Sequence, residues 1–379
     1  MLKAGILGGG QLGRMLLQAA ANYPVETFVL ENDAHCPSAH LCEHFVKGDI
    51  RNYDDVYAFG KMVDALTIEI ENVNVEALEQ LEKEGLAIYP RPSVLRTIKN
   101  KILQKQYYKE NEIPSPAFVV TQSKSELAQH TELVPAVHKM GEGGYDGKGV
   151  QLIREKADLD KGFDVPSVLE KMVNIRKEIA VMVAMNKEGE TALYPPVEMI
   201  FDPVLNLLDY QLCPADLDQR TLWKAEAIAL SVVRNFKSPG IYAVELFVNA
   251  EGDVLVNETA PRVHNSGHHT IEAHYSSQFD MLWRIILGYP LGNTDPILPS
   301  AMINLVGAEG LSGPAVYEGL EEVLKIDSAF VHIYGKKETK PGRKMGHVTV
   351  IAPTKQDLLF NANKVKNLMK VTSILNRQS

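Results

Sequence analysis

The sequence predicts a multidomain chain of mixed α/β and α+β class that opens on a parallel sheet. Three observations predict it. Strand-like and helix-like stretches alternate over residues 2–89. A glycine-rich stretch, Lys139-Met140-Gly141-Glu142-Gly143-Gly144-Tyr145-Asp146-Gly147-Lys148-Gly149, separates two apolar runs, Val134 to Val137 and Val150 to Ile153. From residue 176 the pattern turns to long β runs joined by turns.

Length and composition set the bounds. A chain of 379 residues exceeds one domain and suits two or three. Its 45% apolar and 23% charged residues are ordinary for a globular protein. A net charge of -9 argues against a general nucleic-acid or anionic-membrane binder. No apolar run approaches the roughly 20 residues that cross a bilayer, and the start of the chain has no signal-peptide pattern. Three cysteines, Cys36, Cys42 and Cys213, make no disulfide framework and suit a reducing cytoplasm.

The apolar strand at 2–7 runs into Gly8-Gly9-Gly10-Gln11-Leu12-Gly13, and a helical pattern follows from Arg14 to Asn22. A second strand, Val25 to Leu30, ends in Glu31. This is the sequence form of a dinucleotide fingerprint. The same turn can also hold another anion at a helix N-terminus, or only reverse the chain. His35, Cys36, His40, Cys42 and His44 look like metal ligands, but their spacing fits no standard zinc pattern, and a plain loop with a short helix is expected. A helix near 53–62, a strand at 64–70, a helix at 74–84 and a strand at 86–89 continue the alternation. Glu69 and Glu71 fall at a strand's carboxyl end, where such sheets bind ligands; they read equally as solvated loop acids.

Tyr89-Pro90-Arg91-Pro92-Ser93 marks a boundary. A lysine-rich helix is expected from Thr97 to Glu110, with most of Lys99, Lys101, Lys105 and Lys109 on a solvated face. The glycine stretch that follows reads as strand, loop, strand. It suits a lid over a triphosphate, or merely a long hairpin turn. It is not a Walker loop, because Gly149 stands where that motif has Ser or Thr. Glu178 to Met185, a turn at 186–189 and Thr191 to Ile200 form the next β unit, and a helix spans Leu217 to Phe236. The hairpin Ile241–Val248 and Val254–Thr259 sets Glu245 opposite Asn257 and Glu258. Acids among β-branched residues suit a magnesium site; a surface hairpin with harmless acids is the plain alternative. Arg262, His264 and Asn265 follow, apt for a second, anionic substrate. The tail reads as strands near 301–306, 329–334 and 346–352 and a helix near 356–370.

Lys139, the loop Gly143–Gly149, Glu170-Lys171-Met172-Val173 followed by Glu178, and Glu245 with Asn257-Glu258 together resemble the ATP-grasp ligases. Gly10-Gln11-Leu12-Gly13-Arg14-Met15, Gly144-Tyr145-Asp146-Gly147, Ala260-Pro261-Arg262-Val263-His264-Asn265-Ser266-Gly267-His268 and Gly342-Arg343-Lys344-Met345-Gly346-His347 narrow the resemblance to the 5-(carboxyamino)imidazole ribonucleotide synthases of purine biosynthesis. These motifs run from residue 8 to 347. Each is weak alone; in this order they are specific.

The resemblance implies an ATP-grasp fold behind an N-terminal Rossmann-like domain, divided at 1–96, 97–175, 176–300 and 301–379. It implies a cytoplasmic homodimeric ligase that uses ATP as co-substrate and Mg²⁺ as cofactor. Its other substrates would be bicarbonate and 5-aminoimidazole ribonucleotide, with carboxyphosphate between them. Lys101, Lys139, Gly144, Tyr145, Asp146, Gly147, Lys148, Gly149, Glu170, Lys171, Met172, Val173, Glu178, Asn257 and Glu258 would form the ATP site. Glu245 and Glu258 would hold the metal. Arg262, His264, Asn265 and Asp146 would serve the chemistry. Gln11, Leu12, Glu69, Tyr145, Asp146, Lys148, Lys336 and Arg343 would bind the ribonucleotide. The sequence departs at Lys101, where relatives have arginine, and at His138, where they often have an apolar residue. Three competitors stand beside this reading: another carboxylate-activating ATP-grasp ligase such as a formate-dependent glycinamide ribonucleotide transformylase, a nicotinamide dehydrogenase, and a nucleotide-binding regulator without turnover.

Overall fold

The structure, a computed structural model, describes residues 1–143, 149–201 and 208–374. The first five strands form the parallel sheet that the alternation predicts, in the order His44–Lys47, Val25–Glu31, Leu2–Leu7, Ala65–Ile68, Ala87–Tyr89. Its strands are short and apolar because helices cover the sheet. The helix after the glycine turn begins at Gln11, not Arg14, so Gly13 lies inside its first turn. The His35–His44 segment carries turns rather than a short helix, and His44 opens a fifth strand of the sheet, third in chain order, that the sequence pattern does not show.

The lysine-rich helix is two helices, Pro92–Lys99 and Lys101–Glu110. Asn100 divides them with an extended backbone, and its side chain accepts from the Ile102 and Leu103 N–H groups to cap the second helix. A four-stranded antiparallel sheet follows, in the order Phe118–Thr121, Ser167–Lys171, Ala136–Met140, Val150–Ile153. The last two strands are the hairpin that carries the glycine stretch.

The largest sheet orders Val254–Ala260, Gly240–Asn249, Ile175–Met185, Val197–Phe201, Leu208–Cys213, Ser300–Val306, Lys344–Ile351 and Ala329–Ile333. Thr191 to Ile200 is therefore two strands, broken where Pro195 and Pro196 remove backbone donors. A small fourth sheet joins Glu338–Thr339, Gly313–Glu318 and Lys370–Ser373. The helix Gln219–Phe236 lies on the large sheet, its N-terminus capped by Asp218. The N-terminal part is anchored to the large sheet through helices Gln11–Ala20 and Gln278–Leu287, where the buried Trp283 Nε1 donates to the Leu16 carbonyl at 2.7 Å. No helix among the described residues is long and apolar enough to cross a membrane.

Candidate active site

The hairpin Gly240–Asn249 and Val254–Ala260 pairs Glu245 directly with Glu258. The register then shifts, and Val256 faces Leu246. Asn257 is the extra residue of this bulge, which frees it from strict alternation with Glu258. Both side chains consequently reach across to lysines of the preceding part of the chain. Lys101 Nζ lies 2.7 Å from Glu258 Oε2, and Lys139 Nζ lies 3.2 Å from Asn257 Oδ1. The Lys101 N–H also donates to the Gly141 carbonyl at 2.8 Å, tying the helix start to the base of the glycine stretch.

Behind this contact sits a buried triad. The Glu170 carboxylate takes Lys139 Nζ at 3.1 Å on one oxygen and Lys105 Nζ at 3.2 Å on the other. Lys105, expected on a solvated face, is only 2% exposed. Burial pulls its pKa down to about 8 despite Glu170. The sequence does hold a signal for it: Lys101 and Lys105 are four apart, hence on one helix face. Lys99 also turns inward and donates to the Val73 carbonyl.

The two carboxylates of the hairpin are electrostatically unlike. Glu258, half-exposed, is held well below the usual carboxylate range by Lys101. Glu245 is held above it by burial, then by the charges of Glu258 and Glu178. Burial likewise raises Glu178. The shifts run in opposite directions, so a proton held by the pair favours Glu245 over Glu258. Two adjacent carboxylates with room for further oxygens fit a hard divalent cation such as Mg²⁺, whose arrival would expel that proton.

His264 Nε2 faces Glu245 Oε1 at 3.6 Å. The contact is not an ion pair at neutral pH, because burial, Arg262 and Lys344 pull the imidazole pKa down to about 3. Its Nδ1 accepts from the Ser266 N–H at 3.3 Å, which assigns the ring proton to Nε2. Gln278 fixes the backbone here, accepting from His264 N–H at 2.7 Å and donating to its carbonyl at 2.8 Å. Arg262 Nε lies 2.9 Å from Glu71 Oε1, so Glu71 is one of the residues that hold the site. Asn265 is buried, and both polar atoms of its amide lack a hydrogen-bond partner among the described residues. A small oxyanion would satisfy such a group.

The N-terminal glycine turn is filled by the protein's own acids. Glu69 Oε2 accepts from the Gly13 N–H at 2.7 Å, and Glu31 Oε2 from the Gly9 N–H at 3.0 Å. A Cβ on Gly10 would lie 2.3 Å from Glu69 Oε1, so a side chain there would push that carboxylate out of the turn. A dinucleotide pyrophosphate would meet these carboxylates where it needs free N–H groups. Gln11 and Leu12 open the helix beside them, Leu12 buried and Gln11 half-buried. Burial raises the Glu69 pKa, and the Gly13 N–H, Arg262 and Lys336 offset only part of that rise; Lys336 Nζ donates to the Lys344 carbonyl at 2.8 Å. Arg343 instead donates to the Glu338 carbonyl at 2.8 Å. Between the helix Gln11–Ala20 and the strand Ala329–Ile333 opens a cleft lined by Arg14, Met15, Gln18, His332 and Tyr334.

Gly144, Tyr145, Asp146, Gly147 and Lys148 lie outside the described residues; Gly149 is within them at a φ of 82°. Lys171 ends the strand that carries Glu170, and Met172 and Val173 follow it. His138 is buried, its Nδ1 accepting from the Phe163 N–H and its Nε2 lying 3.2 Å from Thr121 Oγ1. In the 35–44 segment, His40 meets Arg14 and His44 meets Glu26.

Family profiles match along the chain: the ribonucleotide synthetase preATP-grasp domain over residues 1–99, the ATP-grasp domain over 106–279, and the phosphoribosylaminoimidazole carboxylase C-terminal domain over 300–360. The N5-carboxyaminoimidazole ribonucleotide synthase of Brucella melitensis is 34% identical, over 92% of this chain and 96% of its own. Some relatives are longer. The chain spans 65% of the chloroplastic phosphoribosylaminoimidazole carboxylase of Vigna aconitifolia, to which it is 34% identical over 94% of its own length. Among solved structures, the N5-carboxyaminoimidazole ribonucleotide synthetase of Thermotoga maritima superposes with a TM-score of 0.92 at 38% identity, covering 98% of this chain and 100% of that one. An Aspergillus clavatus N5-carboxyaminoimidazole synthase in complex with ADP and 5-aminoimidazole ribonucleotide superposes at 0.88 with 32% identity, over 97% and 98% of the two chains.

Proposed function

The chain belongs to the N5-carboxyaminoimidazole ribonucleotide synthase family of ATP-grasp proteins, and from that premise we propose its reaction. ATP phosphorylates bicarbonate, and the resulting carboxyphosphate carboxylates the exocyclic amine of 5-aminoimidazole ribonucleotide. The products are the N-carboxylated ribonucleotide, ADP and phosphate. One observation carries this reading. Lysines of the small antiparallel sheet and its helix grip the Glu245–Glu258 hairpin from one side, while Arg262, His264 and Asn265 border it from the other.

Phosphoryl transfer needs alignment and charge neutralisation more than covalent help from the protein. Lys101 and Lys139 supply fixed positive charge to the ATP phosphates. Their present partners, Glu258 and Asn257, then turn to the cation and the nucleotide. Glu245 and Glu258 would hold Mg²⁺, which would offset the charge of the ATP phosphates. The Glu170 carboxylate is committed to two lysines, so adenine recognition falls to the main chain of the segment ending at Val173. Glu178 takes the ribose hydroxyls. Arg262, held by Glu71, and the unpartnered Asn265 amide position bicarbonate, and His264 presents its Nε2–H to the reacting oxygens. Gln11, Leu12, Glu69 and Lys336 receive the ribonucleotide, with Arg343 reaching its phosphate. The stretch 141–149 closes as a lid, because carboxyphosphate hydrolyses readily in water. Its Asp146 takes the proton of the attacking amine.

The domain division at 96, 175 and 300 belongs to this same reading. The separate sheets and the three profile matches support it, although the last two parts share one sheet. A cytoplasmic homodimer is proposed on the resemblance alone. The test is ADP release with ATP, Mg²⁺, bicarbonate and the aminoimidazole ribonucleotide, each omitted in turn. Full release requires all four; release indifferent to both bicarbonate and the ribonucleotide refutes the proposal.

A further inference from the structure

Away from the ATP cleft, one place concentrates unsatisfied buried ligand atoms. Cys213 ends the strand Leu208–Cys213; His269 and His274 flank the short helix Thr270–Ala273. These three residues are between 1% and 3% exposed, and each offers a ligand atom within 4.8 Å of the others'. Both ring nitrogens of His274 and the Nε2 of His269 lack a partner among the described residues. Gln211 shares a strand face with Cys213, two residues away. Its Nε2 lies 2.9 Å from His269 Nδ1 and donates to the Ser266 carbonyl at 2.6 Å, while its Oε1 has no partner. Ser300, paired with Cys213 across the sheet, is buried with its Oγ unpartnered. Interiors rarely leave so many polar atoms unpaired in one place, and an ion is one standard reason.

We propose that Cys213, His269 and His274 form a structural zinc-class site. One thiolate with two imidazoles suits a borderline-soft divalent cation, whereas magnesium avoids sulfur. Ligand atoms around tetrahedral zinc are roughly 3.5 Å apart, so the cluster closes by side-chain movements on the order of 1 Å. One position is left for an oxygen, from water or from Gln211 Oε1. Binding releases one proton, from the Cys213 thiol, since burial already keeps both imidazoles neutral. The ion would tie a central strand to the segment 262–274, which also carries Arg262, His264 and Asn265. The proposal stands independently of the reaction proposed above.

The full chain, stripped with chelator and re-equilibrated, is titrated with Zn²⁺ and with Co²⁺. About one zinc per chain should survive gel filtration, and Co²⁺ should give a thiolate-to-cobalt charge-transfer band with tetrahedral d–d absorption. Cys213→Ala and His274→Ala should each weaken retention at least tenfold. Circular dichroism and nucleotide binding check their folding. If a variant fails to fold, Cys36→Ser with Cys42→Ser, which leaves Cys213 as the one cysteine, should keep the thiolate band, and its loss there overturns the proposal. Absence of retained zinc and of the thiolate band overturns the proposal. Undiminished retention in both variants does so too, because it places the metal elsewhere, for instance at residues 35–44.

Discussion

Replacing Lys105 by methionine isolates the electrostatic cost of building the ATP cleft. Lys105 is shielded from water, with Glu170 3.2 Å away and the rings of Tyr108 and Phe118 each 5.9 Å from its Nζ. Desolvation outweighs these partners and brings its pKa from 10.5 to about 8. That gap corresponds to ~3 kcal/mol against keeping the charge in the folded chain. The folded-state value lies below the unfolded one, so the penalty is complete below pH 8, where both states are protonated. It shrinks between pH 8 and 10.5, where the folded chain sheds its proton first, and vanishes above 10.5. The native protein should accordingly gain stability across that window, and Lys105→Met should lack this gain. Glu170 keeps Lys139 at 3.1 Å in the variant, which limits the damage at pH 7. The assay is urea unfolding of both proteins at pH 7 and pH 10, followed by circular dichroism. The difference between them should move by roughly 2–3 kcal/mol in favour of the native chain at the higher pH. Equal differences at the two pH values refute the buried-cation argument.

Three further outcomes follow from the site. Glu258→Gln should cost turnover about 1000-fold or more, roughly 4 kcal/mol of lost charge stabilisation. Its unfolding free energy should stay within ~1 kcal/mol, because the Lys101 contact is part-exposed; normal turnover removes Glu258 from the metal site. Arg262→Lys keeps the charge but loses the planar fork, so kcat/KM for bicarbonate should fall roughly 10- to 100-fold with KM for ATP unchanged. A rise confined to the KM for ATP would reassign Arg262 to the nucleotide. Glu245 is protonated below its raised pKa, so cation affinity should fall about tenfold for each pH unit below that point. Titration calorimetry in buffers of different ionisation enthalpy should find one proton released per ion, and zero release would mean that Glu245 is already ionised.

The sequence made some of this architecture legible because the signals are local. Alternating apolar strand-like and helix-like stretches identify the parallel sheet, and the acids at 245 and 258 stand out against β-branched neighbours. Other parts depend on information that the local pattern lacks. Spacing places Lys101 and Lys105 on one helix face but not which face is buried; only the packing of that helix near Glu170 decides it. Asn257 and Glu258 are adjacent, and alternation would point them apart; the bulge at Asn257 permits both to serve one cleft. Asn100 looks like a mid-helix residue until its side chain is seen capping the helix that follows it. The acids that fill the glycine turn, Glu31 and Glu69, come from two other strands, so the dinucleotide reading could not be dismissed from the fingerprint itself. Cys213, His269 and His274 meet through tertiary folding across more than fifty residues of chain.

The account's central claim is that ATP activates bicarbonate before the carboxyl group reaches the ribonucleotide amine. Bicarbonate labelled with ¹⁸O tests it. If a bicarbonate oxygen attacks the γ-phosphorus, the bridging oxygen of carboxyphosphate stays with phosphorus when the carbon–oxygen bond breaks. Phosphate released during turnover with all substrates should therefore carry one labelled oxygen per molecule, read by mass spectrometry. Unlabelled phosphate at full turnover would contradict the account.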